Sequence, residues 1–207
     1  MAVDIWPTIH AERKALVADL EGISDDQWQT PSLCEGWNVH QMLGHMLAAA
    51  KKSPLGFITS LAAAGFRFNT MTANDVAKES AGSPAQTLAA FEAEADSSVH
   101  PPGPNDTWLG ETIIHGEDIR RPLGINHTYP ADAVKRVLDF YKGSNLVVGA
   151  KKRIGGLTLA ASDSDWTTGS GPEVRGPGVS LMLAMTGRRA ALDDLTGDGV
   201  ATLSSRM

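Results

Sequence analysis

Apolar residues recur at helical spacing through most of the first 150 positions, then give way to alternation and glycine-rich stretches. Between Trp6 and Leu20, the residues Ile9, Leu16, Val17 and Leu20 form one stripe with charged residues between them, which predicts a first bundle helix. Ser24-Asp25-Asp26-Gln27 has the form of a capping box and starts a short turn that ends before Pro31. The clearest helix start is Asn38, with Gln41 three residues on and Trp37 beside Met42 as a hydrophobic staple. Val39, Met42, Leu43, Met46, Leu47 and Ala50 then line one face, and His45 sits at its edge. Residues 54–68 open with Pro54, are rich in alanine and carry phenylalanines. They predict either another helix or an irregular excursion covering the mouth of the bundle.

Ser83-Pro84-Ala85-Gln86 is a further capping box with proline at the first helical position, and its helix is expected over residues 83–99. Pro101-Pro102-Gly103-Pro104 stops it, and Asn105 or Asp106 caps the next helix. That helix carries Trp108, Glu111, His115 and Asp118 at spacings of three and four, hence on one side. Arg120 and Arg121 suit its C-terminal dipole, and Pro122 ends it. A helix over residues 130–148 completes a bundle of four long helices. After Lys151-Lys152-Arg153 the pattern changes: Leu157-Thr158-Leu159 alternates like a strand, and residues 162–178 are rich in Gly, Ser, Asp and Thr. Pro177 opens a last apolar helix ending near Gly187. The expected architecture is mainly α, with a helix bundle over residues 1–150. A small C-terminal α+β segment, a β-hairpin plus a helix, is expected over residues 151–207 and packed on the bundle. No repeat of fixed period and no low-complexity tract is present.

A chain of 207 residues can bury a sizeable core without disulfide staples, and its single cysteine, Cys34, cannot form an internal bridge. Residues 1–9 lack the basic start and long apolar run of a signal peptide, so a cytoplasmic protein is expected. No apolar run approaches a membrane span. The net charge of -6 argues against nucleic acid as the main partner, since phosphate binding relies on a basic surface.

The chemistry-bearing residues cluster on two of the predicted helices. Glu111 and His115, four apart, can point at one spot, and with His45 from the earlier helix they offer three N/O ligands to a divalent cation. Three protein ligands leave a coordination position open, as in a catalytic site. The alternative is a polar helix face with one buried histidine satisfied by a neighbour. A histidine buried in the Ala-, Leu- and Met-rich helix of His45 needs a polar partner. Asp118, one turn past His115, can orient a ligating imidazole, or can be a solvated surface carboxylate. His40 lies about 140° around the helix from His45 and falls outside the cluster. Cys34 reads as inert packing rather than a nucleophile. Arg188 and Arg189 follow the last apolar helix; they are either dipole partners or, for one of them, an anchor for a substrate carboxylate.

Three segments together carry a family resemblance: Pro31-Ser32-Leu33-Cys34-Glu35-Gly36-Trp37-Asn38-Val39 leading to Gly44-His45-Met46; Glu111-Thr112-Ile113-Ile114-His115-Gly116-Glu117-Asp118; and Gly171-Pro172-Glu173-Val174-Arg175-Gly176-Pro177 with Thr186-Gly187-Arg188. Over nearly its whole length the chain resembles the mycothiol-dependent maleylpyruvate isomerase family of actinobacteria, within the DinB-like (YfiT-like) metalloenzyme superfamily. The resemblance implies a DinB-like four-helix bundle whose divalent metal, usually zinc (Zn2+), is held by His45, Glu111 and His115. It implies that the metal lowers the pKa of a bound low-molecular-weight thiol, mycothiol or a similar one, which attacks a small electrophile. For maleylpyruvate the outcome is cis–trans isomerisation; for other members it is S-transfer. Arg188 is the position matched to a functional arginine of the family's C-terminal part.

The expected function is therefore a metal-dependent, thiol-using transferase or isomerase, its partners a small-molecule electrophile and a thiol, acting as a monomer or homodimer. A metal-dependent hydrolase using metal-bound water predicts activity without thiol. A non-catalytic ligand-binding bundle predicts that binding survives removal of metal.

Overall fold

The computed structural model of this protein describes residues 4–146 and 148–207. The first three residues of the segment read for a leader, and Val147 in the helix expected over residues 130–148, lie outside the described residues. The chain divides into two compact units, Met1–His127 and Thr128–Met207.

The first unit runs α1 (Trp6–Leu20), a one-turn α2 (Asp25–Trp28), α3 (Val39–Lys51), α4 (Pro54–Ala63), α5 (Phe68–Glu79), α6 (Pro84–Ala93) and α7 (Asn105–Arg120). α1 packs on α6 and α7, and α3 packs on the same two, so α1, α3, α6 and α7 close a four-helix bundle; α5 lies along α3. The bundle is thus complete within the first unit. The following helix, α8 (Ala131–Gly143), belongs to the second unit, whereas the hydrophobic pattern groups it with the bundle. Periodicity reports that a helix has an apolar face, not which surface covers that face.

The capping signals work as written. Ser24, Asn38 and Ser83 each accept a hydrogen bond from the backbone N–H three residues on, and the Gln at that position bonds back to the cap residue's N–H. α7 differs: it starts at Asn105 behind Pro104, and neither Asn105 nor Asp106 caps it. α6 stops at Ala93 instead of running to residue 99. Residues 54–68 resolve into α4, capped by the Ser53 hydroxyl, with Leu55 and Ile58 of that helix exposed. The helix α5 that follows was not signalled by any cap in the sequence. The core joins Leu16, Val17 and Leu20 of α1 to Met42, Leu43, Met46 and Leu47 of α3, with Phe91 of α6 and Ile119 of α7. At about 25 cal/mol for each Å² of apolar surface removed from water, these side chains fix the helix packing and hence the position of the polar residues among them.

The second unit follows α8 with α9 (Ala150–Arg153), three strands β1 (Thr158–Ala161), β2 (Thr167–Gly169) and β3 (Glu173–Gly176), α10 (Gly178–Met185), a 3-10 turn at Arg189–Asp194 and α11 (Val200–Ser204). The expected hairpin is present as β1 and β2, antiparallel with Leu159 opposite Thr168. A third strand extends it: β3 runs parallel to β1 on the other edge, with Leu159 opposite Val174, giving the order β2-β1-β3. β3 offers a single large apolar side chain, Val174, which is why its segment reads as a polar loop. α10 is buried along its length against α8 and the sheet. Asp139 of α8 accepts hydrogen bonds from Lys135, Lys142 and, at 3.0 Å, the Trp166 indole of the β1–β2 turn. Burial raises the pKa of this carboxyl, but those three donors outweigh it and hold the pKa well below the usual range. Among the described residues no helix is long and apolar enough to cross a membrane.

Candidate metal centre

The local sequence around each candidate ligand explains its placement. The Asn38 capping box fixes where α3 begins, and therefore the face on which His45 emerges. Beside it, Gly44 lies under the end of α5, where a Cβ would come within 3.1 Å of the Ser80 Cβ. α7 is buried on nearly all sides, and the one-turn spacing of Glu111 and His115 puts both on one face of it.

His45, Glu111 and His115 come together. One ligand atom from each lies within 4.8 Å of the other two, and all three residues are half-buried. The His45 and His115 rings meet edge to face with centroids 4.9 Å apart, and Trp37 lies 5.1 Å from the His45 ring on its other contact. Trp37 therefore does more than staple the start of α3; it forms part of the wall around His45. Nδ1 of His115 donates to Oδ2 of Asp118 at 2.8 Å, and Asp118 has no exposed surface. The tautomer with its proton on Nδ1 keeps the ring's lone pair on Nε2, free to face the cluster. Asp118 is the buried partner of a histidine rather than a solvated surface charge. Two imidazoles and one carboxylate, one imidazole already oriented, fit the donor preferences of zinc and its first-row neighbours.

A small, partly open cleft lies beside the cluster, lined by Glu111 and His115 with Arg13, Met46, Val99, His100 and Trp108 among others. His100 stands between two tryptophans, stacked on Trp6 and tilted against Trp108. Arg13 is 6% exposed; its Nη1 donates to the main-chain oxygens of Ser97 and Glu94 at 2.8 and 3.4 Å. Burial lowers its pKa to about 10, with the carboxylates of Glu111 and Glu94 acting through space in the opposite sense, so it stays a cation at neutral pH.

The sequence does not single out Arg13, and it places Trp108 on the Glu111–His115 side of its helix without a role of its own. Ile9, Glu12, Arg13, Leu16, Val17 and Leu20 are the buried set of α1, so Glu12 and Arg13 occupy stripe positions that an ordinary amphipathic helix fills with apolar residues. Glu12 is satisfied by Nε2 of His127 at 2.7 Å. Arg120, expected to complement the C-terminal dipole of its helix, is buried on α7 with Nε donating to Asp19 at 2.6 Å.

Two candidates of the first unit, His40 and Cys34, are accounted for by other packing. His40 is buried away from the cluster; its Nε2 meets Thr87 Oγ1 at 2.9 Å. Cys34 is half-buried against the hydrophobic core. Arg188 lies in the second unit, where its Nη1 donates to the Thr186 carbonyl at 3.1 Å and its charge, after burial, lowers the pKa of Arg153.

Bundle and cluster together define the class, a DinB-like helical protein with a three-residue candidate metal centre between two bundle helices. Residues 9–102 match the family described as mycothiol maleylpyruvate isomerase N-terminal domain. The matched segment contains His45 and ends before Glu111. A crystal structure of the mycothiol-dependent maleylpyruvate isomerase shares the fold, with a TM-score of 0.64 at 16% identity, over 93% of this chain and 91% of that one. A histidine-to-alanine mutant of the mycothiol-dependent maleylpyruvate isomerase superposes comparably, with a TM-score of 0.63, 17% identity and the same coverage. No protein of curated function matches the chain by sequence.

Proposed function

We propose that this protein is a cytoplasmic, divalent-metal-dependent enzyme that activates a low-molecular-weight thiol of the mycothiol kind. The thiol is then used for S-transfer to a small electrophile or for its cis–trans isomerisation. The observation that carries this reading is the convergence of His45, Glu111 and His115, with Asp118 fixing the tautomer of His115. Support comes also from the family match of residues 9–102 and from the fold shared with an enzyme whose name states mycothiol dependence.

In this reading His45, Glu111 and His115 hold the cation, taken as zinc. When bound, the cation would supply positive charge that lowers the pKa of a thiol, so that the nucleophilic thiolate exists at neutral pH. The protein's own residues do the rest. Asp118 holds the Nδ1 proton of His115 and keeps that ring in one orientation. Trp37 and Trp108 supply apolar walls that exclude water from the cluster. Met46 and Val99 give the cleft room for a small carbon skeleton. For an isomerisation, addition of thiolate to a cis double bond leaves a single bond about which the product rotates, and elimination returns the thiol and the trans alkene. For S-transfer the new C–S bond is kept: after addition the carbanion takes a proton from solvent, and in a displacement the leaving group departs with its bonding electron pair.

The test is elemental analysis of wild type and His115→Ala after identical chelator-free desalting, followed by turnover assays with and without thiol. Near-stoichiometric zinc in the wild type, its loss in the variant and turnover that requires thiol are expected. Turnover without thiol would replace this reading with a hydrolase. Absence of metal uptake by both proteins would overturn it in favour of a ligand-binding bundle.

A further inference from the structure

The cleft contains a charge that the cluster does not use. Arg13 is buried on α1, yet both of its hydrogen bonds leave from Nη1 and end on neutral main-chain oxygens, Ser97 O and Glu94 O. A guanidinium carries five N–H donors in a fork suited to paired oxygens, and a buried cation is costly unless an anion meets it. Glu111 and Glu94 act on it through space. Once Glu111 shares its charge with a cation in the cluster, its part of that compensation is drawn away from Arg13. The second observation is independent. Trp108 is 9% exposed and lines the same cleft, and its buried indole Nε1 has no hydrogen-bond partner among the described residues. A buried donor without an acceptor costs free energy that a ligand oxygen would recover. One cationic fork and one neutral N–H in a cleft whose lining joins the apolar Met46, Ala49 and Val99 to the Glu111–His115 face match a small molecule with an acidic end and an apolar body.

We propose that Arg13 and the indole N–H of Trp108 form an anion subsite that takes a carboxylate of the bound small molecule. This rests on the reading of the cleft as the substrate site and adds the group that anchors the ligand's acidic end. The carboxylate belongs either to the electrophile or to the thiol, and the two sources are separable.

The experiment is calorimetric titration of zinc-loaded protein with three probes: succinate, a sulfur-free dicarboxylate; 3-mercaptopropionate, a thiol acid; and succinamide, the neutral control. Arg13→Gln is expected to weaken acid binding about tenfold or more, Arg13→Lys less, and Trp108→Phe by a few-fold. Zinc content and succinamide binding should stay at the wild-type level in all three. Tighter, Arg13-dependent binding of succinate assigns the carboxylate to the electrophile; tighter, Arg13-dependent binding of the thiol acid assigns it to the thiol. Acid affinity unchanged in a folded Arg13→Gln, or equal loss of acid and amide binding, would overturn the subsite. Should Arg13→Gln fail to fold, unchanged acid affinity in both Arg13→Lys and Trp108→Phe would overturn it. Wild type that takes up no zinc defeats the metal reading alone. The acid-against-amide comparison on metal-free protein then still decides the subsite, and no preference for the acid there overturns it.

Discussion

Asp118 has no exposed surface, and its Oδ2 accepts the Nδ1 proton of His115 at 2.8 Å from one turn further along the same helix. A buried carboxylate held against an imidazole fixes the tautomer and the orientation of the ring. Asp118→Asn keeps the shape and an acceptor oxygen but removes the charge. Zinc affinity is expected to fall about 10- to 100-fold, read by competition with a chromophoric chelator. Equal affinity would make the Asp118–His115 pair a packing feature of α7 and nothing more.

Arg188 tests whether the second unit contributes chemistry. Its side chain already holds the Thr186 carbonyl in the turn after α10. Arg188→Lys retains charge without the fork, and Arg188→Ala removes both. If the arginine acts in the reaction, both variants should lose turnover while zinc content and melting temperature stay near wild type. Loss of melting temperature with retained turnover per folded molecule would reduce Arg188 to a structural role.

His40 gives the protein an acid-sensitive joint. The Thr87 hydroxyl donates to the Glu79 carbonyl, so its oxygen accepts from Nε2–H of a neutral His40, and burial keeps the His40 pKa below its ordinary 6.5. Between the lowered folded value and 6.5 the unfolded chain binds more protons, so this contribution to stability is complete above 6.5 and declines as pH falls through it. Denaturation midpoints of wild type should drop on acidification across that window. His40→Gln, which can still donate to Thr87, should show a shallower drop, and identical slopes would refute the assignment.

Gly36 permits the turn that delivers Trp37 and Asn38 to the start of α3. Trp37 N–H donates to the Cys34 carbonyl at 3.2 Å, and Gly36 has φ +85° with nothing near enough to crowd an added Cβ. Gly36→Ala should therefore cost only the backbone term, about 1 kcal/mol in chemical denaturation. A much larger loss would indicate that the turn carries strain beyond this residue.

The C-terminal unit has its own polar hub at Asp139. Trp166→Phe keeps the ring and removes the indole donor that reaches Asp139 Oδ1 at 3.0 Å. A loss of about 1 kcal/mol is expected for one buried hydrogen bond, because Lys135 and Lys142 still satisfy the carboxylate. A neutral result would show that the indole's packing, not its N–H, ties the β1–β2 turn to α8.

By itself the sequence determined what depends on neighbours along the chain. Three capping boxes placed three helix starts, because Ser24, Asn38 and Ser83 bond to backbone groups only three residues away. The spacing of Glu111, His115 and Asp118 put them on one side of α7 for the same reason. Tertiary structure decided whatever depends on the covering surface. It assigned α8 to the second unit, added β3 through pairing with β1, and buried the charged side chains of Arg13, Glu12 and Arg120. It also brought His45 to the Glu111–His115 face, a meeting between residues about seventy positions apart. Local hydrogen bonding is written in consecutive residues. Burial of a charge and convergence of a site are properties of which helices pack together, and that is set by the whole core at once.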